Sequence, residues 1–223
     1  PEAVLTYSAG GFNGVSRHFH DFVNRHIVRG DWRDRERPVL FNSWEACFFN
    51  FSRRRLLKLA GQARRLGMEL FVLDDGWFGK RDNDRSGLGD YRENRRKLGG
   101  SLKSLARKIN RRGLLFGLWF EPEMVSPDSD LYRAHPDYAV KISGRKPVLG
   151  RHQLVLDLCN PEVRDHLVSL LRDILTQNPI SYVKWDMNRH ISDMHSPALA
   201  NQGEFFHRYI LGQIGRASCR ERV

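Results

Sequence analysis

The stretch FVLDDGWFG at residues 71–79 shows how this chain is organised: a short apolar run ends in two aspartates, a glycine turn and a tryptophan. Three more short apolar runs end in a similar mixture of carboxylates and tryptophans, in FNSWEA at 41–46, GLWFEPEMV at 117–125 and KWDMNR at 184–189. Segments with helical spacing of apolar residues follow each run. Strands that alternate with helices predict a parallel β-sheet with helices packed against it.

The four predicted strands span residues 39–44, 69–73, 114–120 and 181–185. Three helices are predicted to begin at the N-cap residues Ser52, Ser101 and Asn160. Pro161 strengthens the last of these, because proline suits the first helical position. Gly67 and Gly113 are predicted to end the first two helices. A fourth helix is expected around Phe205 and Tyr209.

Four strand–helix units suit either half of a (β/α)8 barrel or a doubly wound open sheet. A Gly-x-Gly-x-x-Gly turn does not follow the first strand, so the usual signature of the doubly wound sheet is missing. The predicted fold class is therefore α/β, with about four βα units that form the first half of a (β/α)8 TIM barrel. In such barrels the active site forms at the C-terminal ends of the strands.

Three segments are expected along the chain. Residues 1–37 are interpreted as a connector that leads into the barrel, and residues 38–213 as the partial catalytic domain. Residues 214–223, IGRASCRERV, are interpreted as the translation of a sequencing adapter and therefore as a non-native tail. The chain begins with proline, so the natural start is expected upstream.

Composition limits the class of protein. The chain is 40% apolar, which is typical of a globular protein, and none of its apolar runs approaches the roughly 18 residues of a membrane span. We therefore expect a cytoplasmic protein without a membrane partner. The three cysteines are scattered and fit neither a disulfide framework nor a zinc site, so no metal is expected. The net charge of +11 raises nucleic acid as a partner, but the arginines are spread over predicted helices and loops, so none is expected.

The strand ends carry the chemistry that a sugar site needs, because carboxylates accept hydrogen bonds from hydroxyls and indole rings pack against a pyranose. Lys184 and Asp186 lie on the same side of an extended chain, so the ammonium is expected to lower the pKa of the carboxyl and keep it ionised as a nucleophile. Two alternatives remain open: Lys184 and Asp186 as an ion pair at a strand end, and Asp74 and Asp75 as turn residues.

These motifs, together with NDRSGLGDY at 83–91 and GRHQLVLDL at 150–158, resemble glycoside hydrolase family 36, the bacterial alpha-galactosidases. The resemblance runs in order through residues 38–190. It implies retaining hydrolysis of terminal alpha-galactosyl residues from oligosaccharides such as raffinose and melibiose. It also implies that no cofactor takes part and that the parent enzyme is a homotetramer. Two alternatives remain open, a raffinose-type transgalactosylase and an inactive truncated sugar-binding fragment.

The resemblance also implies roles for individual residues. Asp186 matches the nucleophile, and Asp74 and Asp75 match the pair that holds the galactose 4- and 6-hydroxyls. The remaining matches to substrate-binding residues are Trp44, Trp119, Arg151, Lys184 and Asn188. The two residues expected at the rim of the pocket are Trp77 and Glu121. The acid/base is expected beyond this chain, and Asp193 is not assigned that role because it is too close to the nucleophile.

Overall fold

The structure, a computed structural model, describes residues 3–217. These residues form two compact units, one up to Pro38 and one from Val39. The first unit contains the helix α1, Gly11–Phe22, which continues into a π-helical turn, Val23–Ile27. The role of residues 1–37 as a connector stays a prediction. The expected non-native tail, residues 214–223, lies partly outside the described residues and also stays a prediction.

The second unit is built on a four-stranded parallel sheet. In chain order the strands of this unit are β1 (Leu40–Asn42), β2 (Leu70–Leu73), β3 (Leu115–Phe120), β4 (Met124–Val125), β5 (Leu154–Val155) and β6 (Tyr182–Trp185). The sheet has the order β1-β2-β3-β6, with parallel pairing throughout, and β4 and β5 form a separate antiparallel pair. The predicted α/β fold with a parallel sheet is confirmed.

The helices follow the strands as expected. They are α2 (Trp44–Cys47), α3 (Arg53–Arg65), α4 (Arg95–Leu98), α5 (Leu102–Asn110), α6 (Asp130–Ala134), α7 (Pro161–Gln177) and α8 (Phe205–Ala217). None of the helices between residues 3 and 217 has the length and apolar character that a membrane crossing requires.

Side-chain caps fix the starts of the three crossover helices. The hydroxyls of Ser52 and Ser101 accept hydrogen bonds from backbone N–H groups in the first turns of α3 and α5. Asn160 does the same for α7, which has proline at its first position. Each cap satisfies a donor that the helix itself leaves unpaired. The three predicted helix starts are confirmed.

The apolar faces of these helices cover the sheet. Leu56 and Ala60 of α3 and Leu105 and Ile109 of α5 are buried and belong to the same apolar cluster as Phe116 of β3. Burial of such side chains contributes about 1.5–3 kcal/mol each for the larger ones, so the parallel sheet is stabilised mainly by its helical cover.

The first strand is shorter than predicted. It ends at Asn42, and Trp44, which was expected at its end, begins the short helix α2. The side-chain oxygen of Asn42 accepts a hydrogen bond from the backbone N–H of Trp44 over 3.2 Å, which turns the chain out of the sheet. Short polar side chains compete with the strand ladder in this way.

Candidate functional site

Parallel strands bring the predicted residues to one edge of the sheet. Asp74 follows β2, Trp119 lies near the end of β3, and Asp186 follows β6. Register pairs Trp119 with Lys184 and Phe120 with Trp185, and the backbone N–H of Asp186 donates to the carbonyl of Phe120 over 2.8 Å. The C-terminal ends of neighbouring strands therefore place these side chains together, although they are up to about a hundred residues apart in sequence.

The Asp186 carboxylate is held by three donors. Its Oδ2 accepts hydrogen bonds from the indole N–H of Trp119 over 2.9 Å and from the side-chain amide of Asn188 over 3.0 Å. Its Oδ1 accepts from the backbone N–H of Met187 over 3.1 Å. Asp186 is only partly buried, so the fixed carboxylate remains accessible from one side.

The pKa of Asp186 lies below its ordinary value. Partial burial acts to raise the pKa of this carboxyl, but the hydrogen bonds from Trp119 and Asn188 and the positive charge of Lys184 together outweigh burial. The expected effect of the Lys184 ammonium is present, and the hydrogen bonds from Trp119 and Asn188 lower the pKa of Asp186 more than this charge does. The result is an ionised carboxylate near neutral pH, the state that a nucleophile requires.

Lys184 pairs with a different aspartate. Its Nζ donates to Oδ2 of Asp74 over 2.8 Å, in a salt bridge that joins the ends of two strands that are not neighbours in the sheet, β2 and β6. Asp74 is 3% exposed, and its backbone N–H donates to the hydroxyl of Ser43. The alternative of Lys184 and Asp186 as a direct ion pair at a strand end therefore does not hold.

Asp75 is buried against an arginine. The guanidinium of Arg81, itself 2% exposed, donates from Nε to Oδ1 over 3.0 Å and from Nη2 to Oδ2 over 2.8 Å. Burial raises the pKa of the Asp75 carboxyl, and the hydrogen bonds and charge of Arg81 oppose this without cancelling it. The expected binding of a sugar hydroxyl by Asp75 stays a prediction, and the structure shows both carboxylate oxygens already engaged by Arg81.

Asn188 joins three charged groups. Its side-chain amide donates to Asp186, its side-chain carbonyl accepts from Nη1 of Arg151 over 3.0 Å, and its backbone N–H donates to Oε1 of Glu121 over 2.6 Å. Arg151 is exposed and has a positive φ of 50°, in the left-handed region that non-glycine residues seldom adopt. The sequence placed Arg151 and Asn188 in one site, and the structure brings them into contact.

Two residues expected at the rim are buried instead. Trp77 is fully buried, and its indole N–H donates to the carbonyl of Trp119 over 3.0 Å. Glu121 is also fully buried and accepts a hydrogen bond from the side chain of Gln153. The burial of Trp77 and Glu121 contradicts their rim assignment: the Trp77 indole is bonded to the backbone of Trp119, and the Glu121 N–H donates to the hydroxyl of Tyr91 over 3.0 Å.

The two tryptophans predicted as pocket walls differ. Trp119 is 1% exposed and contacts the site through its N–H on Asp186. Trp44 is partly exposed and stacks edge-on against Phe48 and Phe49, with ring centroids 5.2 and 5.0 Å apart. Trp44 thus presents an aromatic surface, while the pocket-wall role of both residues stays a prediction.

Two other carboxylates, Glu123 and Asp193, accept hydrogen bonds from nearby side chains, although Oε2 of Glu123 has no partner among the described residues. Glu123 accepts from the indole of Trp185 over 2.6 Å and from Gln213 over 2.5 Å, and burial raises its pKa. Asp193 accepts from Arg145 and from the backbone N–H of Val148, each over 2.7 Å. No group of three or more His, Cys, Asp or Glu side chains in the described part of the chain is arranged to hold a metal ion.

Sequence reasoning missed Arg81 and Gln153. Arg81 stands in an irregular loop after Gly76 and Gly79, both with positive φ, where periodicity gives no information about burial. The one available signal was the adjacent pair of aspartates, since two buried carboxylates require more positive charge than Lys184 alone supplies. Gln153 gave no such signal.

The chain is similar to known proteins along nearly all of its length. The model of the family described as Melibiase matches residues 1–215. Alpha-galactosidase AgaA of Geobacillus stearothermophilus is 50% identical over 214 residues, which cover 95% of this chain and 29% of the relative. The chain therefore spans under a third of the length of that relative.

Solved structures give the same result. A GH36 alpha-galactosidase AgaA variant from Geobacillus stearothermophilus in complex with 1-deoxygalactonojirimycin superposes with a TM-score of 0.91 at 48% identity, covering 95% of this chain and 30% of that one. A related AgaA variant in complex with raffinose gives a TM-score of 0.88 at 48% identity, over 92% of this chain and 29% of that one. The resemblance to glycoside hydrolase family 36 is confirmed, and the sheet corresponds to part of that larger fold.

Proposed function

The chain belongs to the Melibiase family, and from this membership and the site geometry we propose that the protein that carries it is an alpha-galactosidase. The proposed reaction is retaining hydrolysis of terminal alpha-galactosyl residues from oligosaccharides such as raffinose and melibiose. AgaA, at 50% identity, is named as an alpha-galactosidase, and a variant of it was solved with raffinose.

One observation carries the proposal. Asp186 is the carboxylate at this edge that is partly exposed, has a lowered pKa and is fixed by three neutral donors. Asp74 and Asp75, by contrast, are each nearly buried and ion-paired with Lys184 and Arg81. An ionised, oriented and accessible carboxylate is what nucleophilic attack on a sugar carbon requires.

The proposed mechanism is a double displacement. An oxygen of Asp186 attacks carbon 1 of the galactosyl unit, the glycosidic bond breaks, and the departing oxygen takes a proton from a general acid. A water molecule, deprotonated by the same group, then breaks the galactosyl ester and restores the Asp186 carboxylate. Retaining enzymes place their two carboxyl groups roughly 5–5.5 Å apart. The acid/base residue is left unassigned, because the neighbouring carboxylates described above are buried or ion-paired.

Sugar recognition is proposed to involve the groups around Asp186. Asp74, with its partner Lys184, is proposed to bind one of the galactose hydroxyls at positions 4 and 6. Asp75 is the proposed partner of the other. Asn188 and Arg151 supply further donors, while the exposed face of Trp44 suits the apolar side of a pyranose. We propose that this reaction requires neither a cofactor nor a metal ion.

The rest of the protein is proposed by analogy with the family. We propose that further strand–helix units close the four-stranded sheet into a (β/α)8 TIM barrel that also contributes the acid/base, and that the parent enzyme is a cytoplasmic homotetramer. Since the closed site would need those units, we propose that the 223-residue chain alone is inactive.

The test uses a full-length protein that carries this chain. We expect it to release galactose from an aryl alpha-galactoside and from raffinose, with alpha-galactose as the first product seen by NMR. Asp186→Ala should lower kcat by roughly 10⁴-fold or more, whereas Asp137→Ala, at an exposed aspartate, should not change it. A beta-configured first product, or an active Asp186→Ala variant, would contradict the proposal. Analysis of products at high sucrose separates hydrolysis from transfer to a sugar acceptor.

A further inference from the structure

Glu121 is a buried carboxylate without an ion pair among the described residues. It is fully buried, and its Oε1 and Oε2 accept hydrogen bonds from the backbone N–H of Asn188 over 2.6 Å and from the side-chain amide of Gln153 over 3.2 Å. Both donors are neutral. A buried carboxylate satisfied only by neutral donors costs stability compared with an apolar side chain, which raises the question of what Glu121 does.

The position of Glu121 suggests an answer. The parallel pairing of β3 with β6 ends at Phe120, whose carbonyl accepts from the N–H of Asp186 over 2.8 Å. Beyond that point the two segments leave the sheet, and the bond between Glu121 and the Asn188 N–H is the next connection between them. The Glu121 side chain therefore connects the two segments just beyond the last backbone hydrogen bond between their strands, at the edge of the sheet where Asp186 lies.

Asn188 connects Glu121 to the proposed nucleophile, Asp186. With its backbone fixed by Glu121, its side chain donates from Nδ2 to Oδ2 of Asp186 over 3.0 Å and accepts from Arg151. Two nitrogen atoms of Asn188 are thus hydrogen-bonded: the backbone N–H to Glu121 and the side-chain amide to Asp186. Rotation or displacement of Asn188 would remove one of the donors that orient the Asp186 carboxylate.

We infer that Glu121 is a positioning residue, which holds Asn188 and through it the Asp186 carboxylate in the orientation for attack. The inference rests on the proposed function of Asp186. Among the described residues Glu121 accepts hydrogen bonds from Asn188 and Gln153 and makes none with Asp186, and its full burial keeps it away from a substrate. Its contribution is to geometry, and misplacement of a reacting group by about 1 Å can reduce a rate by about a hundredfold.

The chain offers a matched control two residues away. Glu123 is equally buried, but it accepts its hydrogen bonds from Trp185 and Gln213 instead of Asn188. Loss of either glutamate removes a buried carboxylate from the same turn. Only loss of Glu121 releases Asn188, so the pair separates a general effect on folding from an effect on positioning.

The experiment is a double-mutant cycle in a full-length protein that carries this chain, with kcat and KM measured on an aryl alpha-galactoside. Glu121→Ala should lower kcat by about ten- to a hundredfold with little change in KM. Glu121→Gln, which keeps an acceptor for the Asn188 N–H, should recover most of the lost rate. Glu123→Ala, which removes the other buried carboxylate without affecting Asn188, should keep the wild-type kcat.

The cycle tests whether Glu121 acts through Asn188. The double variant Glu121→Ala with Asn188→Ala should be no slower than Asn188→Ala alone, because residues in one network are not additive. Multiplicative losses, or a wild-type kcat in Glu121→Ala, would overturn the inference. If the unmodified protein has no galactosidase activity, or if Asp186→Ala stays active, the proposed function itself fails, so the two failures are distinguishable.

Discussion

The indole N–H of Trp119 donates a 2.9 Å hydrogen bond to Oδ2 of Asp186, from β3 to the residue that follows the neighbouring strand β6. Among the groups that lower the pKa of Asp186, this donor has the largest effect. A tryptophan expected to face the sugar therefore supports the carboxylate directly.

Trp119→Phe removes this donor while keeping an aromatic ring. The hydrogen bond stabilises the charged form of Asp186, so its loss should raise the pKa and move the acid limb of the kcat/KM profile to higher pH. The prediction is the direction of the shift, to higher pH, because the hydrogen bond from Trp119 is the largest of the groups that lower this pKa.

The matched control for this prediction is Trp185→Phe. That substitution removes an indole donor from Glu123, in the same part of the fold. Trp185→Phe should leave the acid limb of the kcat/KM profile at the same pH as in the wild type. An unchanged limb in Trp119→Phe, or an equal shift in both variants, would show that the indole of Trp119 does not set the ionisation of Asp186.

Lys184→Met should destabilise the protein. The Nζ of Lys184 is the cation paired with Asp74, which is 3% exposed, so its removal leaves a buried carboxylate without its ion-pair partner. We expect a loss of about 3 kcal/mol, at the low end for a buried pair because Lys184 itself is partly exposed. Urea unfolding followed by tryptophan fluorescence measures it.

Two further variants complete the test of the Lys184–Asp74 pair. Lys103→Met, at an exposed position in α5, should unfold like the wild type. Adding Asp74→Asn to Lys184→Met should recover part of the stability, since the uncompensated charge is then gone. No difference between Lys184→Met and Lys103→Met would contradict the structural importance of the pair.

Arg81→Met should cost about 3–5 kcal/mol at neutral pH, because it leaves Asp75 buried without its cation. The pKa of Asp75 is already raised by burial, so its ionisation costs stability as the pH rises. Without Arg81 that pKa rises further. The loss should therefore be smaller at acidic than at neutral pH, because the carboxyl then takes up a proton.

Chemical unfolding at the two pH values checks the prediction for Arg81. Arg81→Lys should recover only part of the stability, since an ammonium lacks the planar fork that binds both Asp75 oxygens. Arg85→Met, at an exposed arginine in the same loop, is the control. A loss that is constant with pH would show that Asp75 does not carry the effect.

The 223-residue chain by itself should aggregate and show no galactosidase activity. In the described residues, β1 and β6 each pair along one side only, and Tyr182 of β6 is 40% exposed. An apolar groove of about 340 Å³ lies beside β6, lined partly by Leu167, Leu171 and Trp185. Open strand edges and exposed apolar surface promote association.

Size-exclusion chromatography and an aryl alpha-galactoside assay check the behaviour of the isolated chain. A monomer that unfolds cooperatively and turns over substrate would contradict this prediction. It would also mean that the residues described here contain a complete site.

The sequence predicted the parallel sheet and the edge at which the candidate site residues lie, because both depend on regular features. Ser52, Ser101 and Asn160 mark helix starts by a local hydrogen bond, which depends only on neighbouring residues. Asp74 and Asp186 lie at the same edge of the sheet because they follow the parallel strands β2 and β6, whatever the length of the connections.

The remaining features depend on loops and on long-range contacts. The helix at Trp44, the burial of Trp77 and the pairing of Arg81 with Asp75 are set where the backbone leaves the sheet, and no periodic pattern describes such segments. Glu121 was expected at the rim because it follows the third predicted strand, and a barrel forms its active site at the C-terminal ends of the strands. Its burial follows from the packing of Tyr91 and Gln153 around it, which sequence spacing does not show.

The covalent step is the claim on which this account depends. A full-length protein that carries this chain should be incubated with a fluorinated galactosyl fluoride, which forms the ester faster than water breaks it, then digested and analysed by mass spectrometry. We expect one galactosyl group on the peptide that contains KWDMNR, with fragmentation assigning it to Asp186. A label on another residue, or an active protein that takes up no label, would contradict the assignment of Asp186 as the nucleophile.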